Sequence, residues 1–508
     1  MKCGVRRIAY PTKMKTTLSP PENFAITLLE RARDTAEFLE LLDAQRGLLD
    51  QLPVEERNRL HRAIAQMYNP DPVARRHKQK AAERARSEAQ LQRADALLHE
   101  TGIRALRRKP VFTTPNVFPP ERFEPRDVPP DDDADESTEL QHCYVCKQKY
   151  SLIHHFYDQM CPACAEFNFA KRTELADLSG RVALLTGGRV KIGYQAGLKL
   201  LRAGAQLIVT TRFPRDSAKR YAQEPDFHEW GHRLEIFGLD MRHTPSVEAF
   251  CRELLSTRSR LDFIINNACQ TVRRPPEFYT HMMEGERAAL SEAPDAVLRL
   301  THSSLSGITL AAELSQVPLL AEELIGQKHL FPDGRLDQDL QQVDLRGRNS
   351  WRLLMAEVSS VELLEVHLIN AVAPFILNAR LKPLMLRTPN RDKHIVNVSA
   401  VEGQFYRLCK TTRHPHTNMA KAALNMMTRT AATDYHADGI HMNSVDTGWV
   451  TDEDPIDIAA RKTVEQRFHP PLDIVDGAAR ILDPIISGIN SGHHVWGQFL
   501  KDYRPADW

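Results

Sequence analysis

From about residue 175 onward the chain alternates two patterns. Short segments rich in apolar residues, the strand candidates, occur at 182–186, 206–211, 234–239, 261–266, 394–399, 440–445 and 496–500, and longer stretches with apolar positions at helical spacing separate them. A strand that is apolar on both faces is one covered on both faces. The alternation therefore predicts an α/β fold, a doubly wound parallel sheet occupying residues 175–508. One connection breaks the rhythm. Residues 270–360 far exceed what a single crossover helix needs and read as an insertion, with helical runs expected over 285–300 and 307–326. Loops of this kind stand over the carboxyl ends of the strands. The insertion is expected to be a substrate lid or a docking platform, with the loop at 452–471 as the opposite wall.

The first 109 residues carry a different pattern. Over 22–67 apolar residues recur at helical spacing (Phe24, Leu28, Phe38, Leu42, Leu49, Leu52), which predicts a small helical hairpin or bundle. The helix predicted over 73–102 is far more polar, and residues 75–109 hold eleven Lys/Arg against four Asp/Glu. No aromatic residues interleave to stack on bases, so this stretch reads as a solvated helix and nucleic acid is not the expected partner. Residues 110–140, with Pro119-Pro120, Pro129-Pro130 and Asp131-Asp132-Asp133, are too poor in aliphatic side chains to fold alone and read as a linker.

A metal signature follows over 141–172. Cys143-x-x-Cys146 and Cys161-x-x-Cys164 place two tight knuckles fourteen residues apart, the arrangement that offers four thiolates to one tetrahedral structural zinc. Cys161-Pro162-Ala163-Cys164 alone also suits a redox dithiol; a second pair so close favours zinc in a ribbon-like module. The sequence holds 67 Lys+Arg and 66 Asp+Glu, so no global field attracts nucleic acid or membrane. The most apolar run, 307–326, carries Glu313, Glu322 and Glu323, so no bilayer span is expected. With eight cysteines in 508 residues and no secretory pattern, a reducing cytoplasmic setting is expected.

The chemistry begins at Thr186-Gly187-Gly188-Arg189-Val190-Lys191-Ile192-Gly193, a glycine-rich turn between the first strand and a helix. Glycines let the backbone turn tightly, and the free N–H groups opening a helix attract a pyrophosphate. Thr186, Gly187, Gly188, Arg189, Lys191, Ile192 and Gly193 are the candidate cofactor contacts. The second strand ends in Thr210-Thr211-Arg212, with no carboxylate to hold a ribose 2′-hydroxyl and an arginine suited to a 2′-phosphate, so NADP is expected over NAD.

These segments resemble the short-chain dehydrogenase/reductase family over roughly three hundred residues. The turn at Thr186 is similar to that family's TGxxxGxG. Asp240 stands where the family contacts adenine, and Asn266-Asn267-Ala268 resembles its NNAG, here ending in Cys269. Asn370 matches the active-site asparagine, Ser399 the carbonyl-binding serine, and Asn443 to Gly448 the NxVxPG segment. The resemblance implies a Rossmann fold, a nicotinamide cofactor held also by Asn267, Ala268, Lys421 and Gly448, and a catalytic set of Ser399, Lys421 and Asn370. Asn370 would hold a water in a proton relay.

Three departures accompany the match. Thr417 stands where the YxxxK tyrosine belongs, four residues before Lys421, and an alcohol is far too weak an acid to replace a phenol. Tyr406-Arg407-Leu408-Cys409-Lys410 spells the motif literally but falls in the loop after Ser399; Tyr406, His414 and His416 are the rival proton donors. Lys191 replaces the middle glycine of the turn, where it would either block the pyrophosphate or, with Arg189, reach it as a cation. Thr447 replaces the proline before Gly448.

Two functions follow from this reading. The first is an NADP-dependent oxidoreductase acting on a carbonyl or alcohol. The second is a catalytically inactive NADP-binding sensor or scaffold that engages a protein partner through its zinc module and helical arm. Family members pair through their long helices, so a homo-oligomer is implied unless the added modules oppose it.

Overall fold

The computed structural model describes residues 22–44, 46–68, 72–112, 136–288, 300–302, 310–405 and 410–508. The chain divides into two compact units, Met1–Leu91 and Gln92–Trp508. The first contains α1 (Glu22–Ala44), α2 (Val54–Tyr68) and most of α3 (Pro72–Glu100). The helices predicted here form, but their apolar side chains stay largely in solvent, including Leu29, Phe38, Leu41 and Met67.

The second unit opens with the end of α3 and with α4 (Gly102–Arg108). Next come a two-stranded antiparallel ribbon, β1 (Glu136–His142) and β2 (Lys149–Leu152), and α5 (Pro162–Thr173). β1 begins inside the segment expected to be linker: Glu136 pairs with Leu152 of β2, and after a register shift Gln141 and His142 pair with Tyr150 and Lys149, because a strand of poor composition is held when its backbone groups find a partner. Most of the remaining linker, 113–135, lies outside the described residues.

The main sheet has nine strands in the order β11-β10-β9-β8-β6-β3-β4-β5-β7. They are β3 (Val182–Thr186), β4 (Gln206–Thr211), β5 (Leu234–Gly238), β6 (Phe263–Asn266), β7 (Thr301–His302), β8 (Lys393–Ser399), β9 (Ile440–Asp446), β10 (Phe499–Lys501) and β11 (Arg504–Ala506). All pairings are parallel except β10 with β11. Helices cover both faces: α6 (Lys191–Arg202), α7 (Pro214–Ala222), α8 (Phe227–Trp230), α9 (Thr244–Thr257), α10 (Pro276–Arg287), α11 (Ala311–Leu314), α12 (Ser360–His367), α13 (Ala373–Met385), α14 (Pro415–Ala437), α15 (Ile456–Gln466) and α16 (Ile474–Ser491). The doubly wound Rossmann-type fold is as expected.

The apolar strand segments have a simple cause. Ala183 and Leu185 of β3 face one core with Leu198 of α6 and Ile481 of α16, while Leu184 faces the other with Phe250 of α9 and Leu381 of α13. Successive side chains point to opposite faces, and each fully buried leucine contributes about 1.5–3 kcal/mol of transfer free energy. Chain order runs outward from β3 to β4 and β5, then returns to β6 on the other side of β3. That reversal opens a crevice at the carboxyl ends of the strands.

Two expectations change. The run 307–326 is not one helix: its described part holds α11 and a 3₁₀ turn at Ala321–Leu324, divided by Pro318, which cannot donate to a helix. By length and composition, Ser360–Met385 does suffice to cross a bilayer, contrary to the sequence reading. Its polar start (Glu362, Glu365, His367) hid it from a search for unbroken apolar runs, and its buried side packs on the sheet through Leu377 and Leu381.

Candidate functional site: a dinucleotide-type cleft and a four-cysteine cluster

A cleft of about 530 Å³ lies at the reversal point. Its floor is the turn after β3. Gly187 has φ +71°, and a Cβ there would come within 2.9 Å of Ala268 Cα. At Gly193 a Cβ would lie 2.1 Å from the Gly187 carbonyl oxygen, so only glycine fits. Asn267 fixes the turn by donating from Nδ2 to the carbonyls of Thr186 (3.2 Å) and Gly187 (3.1 Å), and Ala268 N donates to Thr186 Oγ1 at 2.9 Å. No side chain caps the N-terminus of α6. This is a cradle with free N–H groups at its mouth, and it fits a pyrophosphate.

Lys191 opens α6 with φ +55°, a left-handed conformation that favours glycine. Its side chain turns into the cleft. Burial opposes its charge, but Glu453, Asp339 and Asp337 facing it hold the ammonium above its ordinary pKa. Arg189 lines the cleft as well, and its guanidinium donates to Asp216 Oδ2 of α7 at 2.7 Å. Arg212 donates to Tyr279 Oη at 2.7 Å and lies 4.5 Å over the same ring, a phenol instead of a carboxylate. Asp240 is gripped by Arg242 through Nε (3.0 and 3.1 Å) and Nη2 (2.7 Å). Burial raises the Asp240 pKa, and Arg242 outweighs it, holding the carboxyl below its usual range.

The insertion supplies the wall over β4 and β5, since β7 adds to the β5 edge and α10 carries Tyr279. Its later part meets the loops after β8 and β9: the Leu353 carbonyl accepts from His414 N at 2.8 Å, and Asn349 Nδ2 donates to the Glu453 carbonyl at 2.8 Å. Tyr279, Arg274, Asp344 and Arg346 on this wall were not foreseen. Arg274 and Arg346 both pair with Asp344. The charge-dense stretch 333–348 was the only signal in the sequence for Asp344 and Arg346, and Arg274 and Tyr279 had none. The opposite wall comes from Val450–Ile456 and Ala459, within the loop expected there; that loop also contains α15.

The residues expected to be catalytic gather behind the cleft. Thr417, Lys421 and Asn425 share one face of α14, spaced by one turn each. Ser399, ending β8, donates to Asn425 Oδ1 at 2.6 Å, and Lys421 Nζ donates to the Val398 carbonyl at 2.7 Å. All three of Ser399, Thr417 and Lys421 are at most 5% exposed, and none is on the cleft wall. Thr417 Oγ1 and Asn425 Nδ2 are buried without a hydrogen-bond partner among the described residues. Asn370 lies in a π turn, Leu368–Val372, where its Oδ1 accepts from Gln270 N at 2.9 Å and its Nδ2 donates to the Gln270 carbonyl at 3.3 Å. His414 stacks on Trp351 at 3.8 Å, and His416 Nε2 is 3.3 Å from Glu362. Tyr406 lies outside the described residues. In register with Ser399 is Asp446, which sequence reasoning passed over. Burial pushes its carboxyl up to about 6.

The four cysteines converge. The Sγ atoms of Cys143, Cys146, Cys161 and Cys164 all lie within 4.8 Å of one another, and Cys146 and Cys161 are 3.7 Å apart, too far for a disulfide. A tetrahedral ion with metal–sulfur bonds of ~2.3 Å requires sulfur separations of about 3.8 Å, so the set fits a metal ion.

The short chain dehydrogenase family model matches residues 181–287, and that of enoyl-(acyl carrier protein) reductase matches 349–470; the unmatched stretch between them is the insertion. An uncharacterized protein, R665, of Acanthamoeba polyphaga mimivirus is 31% identical over 380 residues, covering 72% of this chain and 75% of that one. Dehydrogenase/reductase SDR family member 13 of Bos taurus is 33% identical over 105 residues, 20% of this chain and 28% of the relative. Retinol dehydrogenase 14 of Mus musculus is 34% identical over 102 residues, 18% and 30% respectively. These last two matches span less than a third of the relatives' own length. Among solved structures, a Burkholderia cenocepacia short chain dehydrogenase in complex with NADP is 16% identical, covering 64% of this chain and 96% of that one, with a TM-score of 0.41. The chain belongs to the short-chain dehydrogenase/reductase family of oxidoreductases.

Proposed function

We propose that this protein is an NADP-dependent oxidoreductase that moves hydride between the cofactor and a carbonyl or alcohol substrate. The observation that carries the reading is Arg212 at the end of β4, bonded to Tyr279 with no carboxylate as its hydrogen-bond partner among the described residues, beside a glycine cradle shaped for a pyrophosphate. Arg212 would hold the 2′-phosphate, and Lys191 with the first N–H groups of α6 the pyrophosphate. When bound, the cofactor supplies the hydride. Ser399 would orient the substrate oxygen once Asn425 releases its hydroxyl, and Lys421 would raise the local positive charge. Thr417 cannot deliver the proton; Asp446 is a carboxyl beside Ser399 whose pKa lies close enough to neutrality to do so. Purified protein should bind NADPH more tightly than NADH in a fluorescence titration and oxidise NADPH with members of a carbonyl panel.

A second reading has its own observation. Ser399, Thr417 and Lys421 are sealed behind the cleft wall, which suits a protein that binds NADP without turning it over. Tight NADPH binding with no oxidation across the panel selects this sensor or scaffold reading. The zinc module's buried face is occupied by its own chain, so partner binding would fall to the helical arm.

The ion fitted to the four cysteines is structural zinc, because the ligand set is closed and all sulfur. Metal analysis should give one zinc per wild-type chain and its loss in Cys161→Ser.

A further inference from the structure

We propose that the four-cysteine module clamps the loop between β9 and α16, so that metal occupancy and dinucleotide affinity are coupled; the affinity half of this rests on the cofactor reading above. The loop runs from Thr447 to Asp473, and its Val450–Ile456 portion lines the cleft.

The module holds this loop at both ends and between. At its start, Trp449 N donates to Tyr144 Oη at 3.0 Å, and a Cβ on Gly448 would stand 3.2 Å from the same oxygen. Farther along, Gln159 Nε2 donates to the His469 carbonyl at 2.7 Å. At its end, Arg172 forks onto Asp473 (2.7 and 3.0 Å) and reaches Asp476 (2.9 Å), and Tyr157 Oη donates to Asp476 at 2.5 Å. Val450, Leu472 and Ile474 share one apolar core with Cys143, Phe156 and Tyr157, and Ile192 of the phosphate turn packs against that core. The floor of the cleft and the wall that this loop forms therefore both lean on the module.

Each knuckle carries one arm of the clamp. Tyr144 sits between Cys143 and Cys146, and Arg172 ends the helix that begins between Cys161 and Cys164. A small module of two short strands and one helix depends on its ion for rigidity. Without it, the knuckles lose their fixed separation and the arms their aim. Linkage then requires reciprocity: whatever factor the metal adds to dinucleotide affinity, the dinucleotide adds to metal affinity.

The test uses the full chain loaded with Zn²⁺, then stripped by chelation and reloaded. Amide hydrogen exchange should rise across residues 447–473 on stripping and recover on reloading, while β3 and β4 stay protected. NADPH affinity should fall about tenfold and recover in parallel, and NADPH should tighten zinc affinity by a similar factor. Tyr144→Phe, which keeps every cysteine, should retain one zinc while loosening residues around Trp449. Loop exchange unchanged on stripping overturns the clamp, as does a wild-type chain that holds no zinc. Loosening on stripping without NADPH binding in any state leaves the clamp standing and removes the cofactor reading instead.

Discussion

Lys421 donates from its ammonium to the carbonyl of Val398, the residue just before Ser399, and Thr417 lies one helical turn away with its hydroxyl buried and unpaired among the described residues. The lysine of the family motif is thus held at the end of β8 although its tyrosine is gone. A buried hydroxyl with no partner costs ~1–3 kcal/mol. Thr417→Val should leave NADPH affinity and any turnover within about twofold and should raise thermal stability, by about 1 kcal/mol. A large loss of turnover would assign the hydroxyl a chemical role.

Arg212 and Lys191 should separate the two nicotinamide cofactors. Only NADPH carries the 2′-phosphate, and a hydrogen bond to a charged group contributes about 2 kcal/mol. Arg212→Ala should weaken NADPH about thirtyfold and NADH less than threefold. Lys191→Met should weaken both about equally, since both have the pyrophosphate. Paired fluorescence titrations of the two variants check this, and equal losses for NADPH and NADH in Arg212→Ala would contradict the assignment.

Asp446 is expected to set the pH profile of any turnover. Burial, opposed by Lys501, leaves its carboxyl at about 6, so reduction should decline as pH rises through that value and the acid is lost. Asp446→Asn should reduce kcat and abolish that limb of the profile while leaving NADPH affinity unchanged. An unchanged profile in the variant would move the proton donor elsewhere.

At the amino ends of β8 and β9, His394 and His441 lie 5.2 Å apart, and His394 Nε2 is 3.0 Å from His494 Nδ1. Burial keeps all three below their ordinary pKa, with His441 at about 4. Between about pH 6.5 and 4 the unfolded chain binds protons that the folded chain refuses, so protonation favours unfolding. Stability should be full above about 6.5 and fall steadily as pH drops toward 4. Chemical denaturation across that range checks it, and His441→Gln should give a shallower slope.

The fold was legible wherever packing forces composition. β3, β4, β6, β8 and β9 are covered on both faces, so their sequences had to supply apolar residues to both. β7 is two residues long and β1 lies in a polar, proline-rich stretch; backbone pairing alone holds such strands, and it leaves no pattern in side chains. In the site, the glycine turn was readable because Gly193 admits no Cβ. The insertion's contribution was not. Tyr279 meets Arg212 across 67 residues, and Arg274 meets Asp344 across 70, separations that no local motif reports. The tie of Arg189 to Asp216 was hidden for the same reason, because Asp216 lies in another helix.

Arg172 and the two aspartates beneath it also decide where this chain can be divided. A shortened chain starting at Asp177 would keep the whole nine-stranded sheet yet leave Asp473 and Asp476 as two buried carboxylates with their counter-cation removed, a cost of about 3–5 kcal/mol. It would also bare Leu472 and Ile474 to water. Recombinant production of the dehydrogenase portion alone should therefore yield insoluble material, and a usable boundary must fall before the first cysteine.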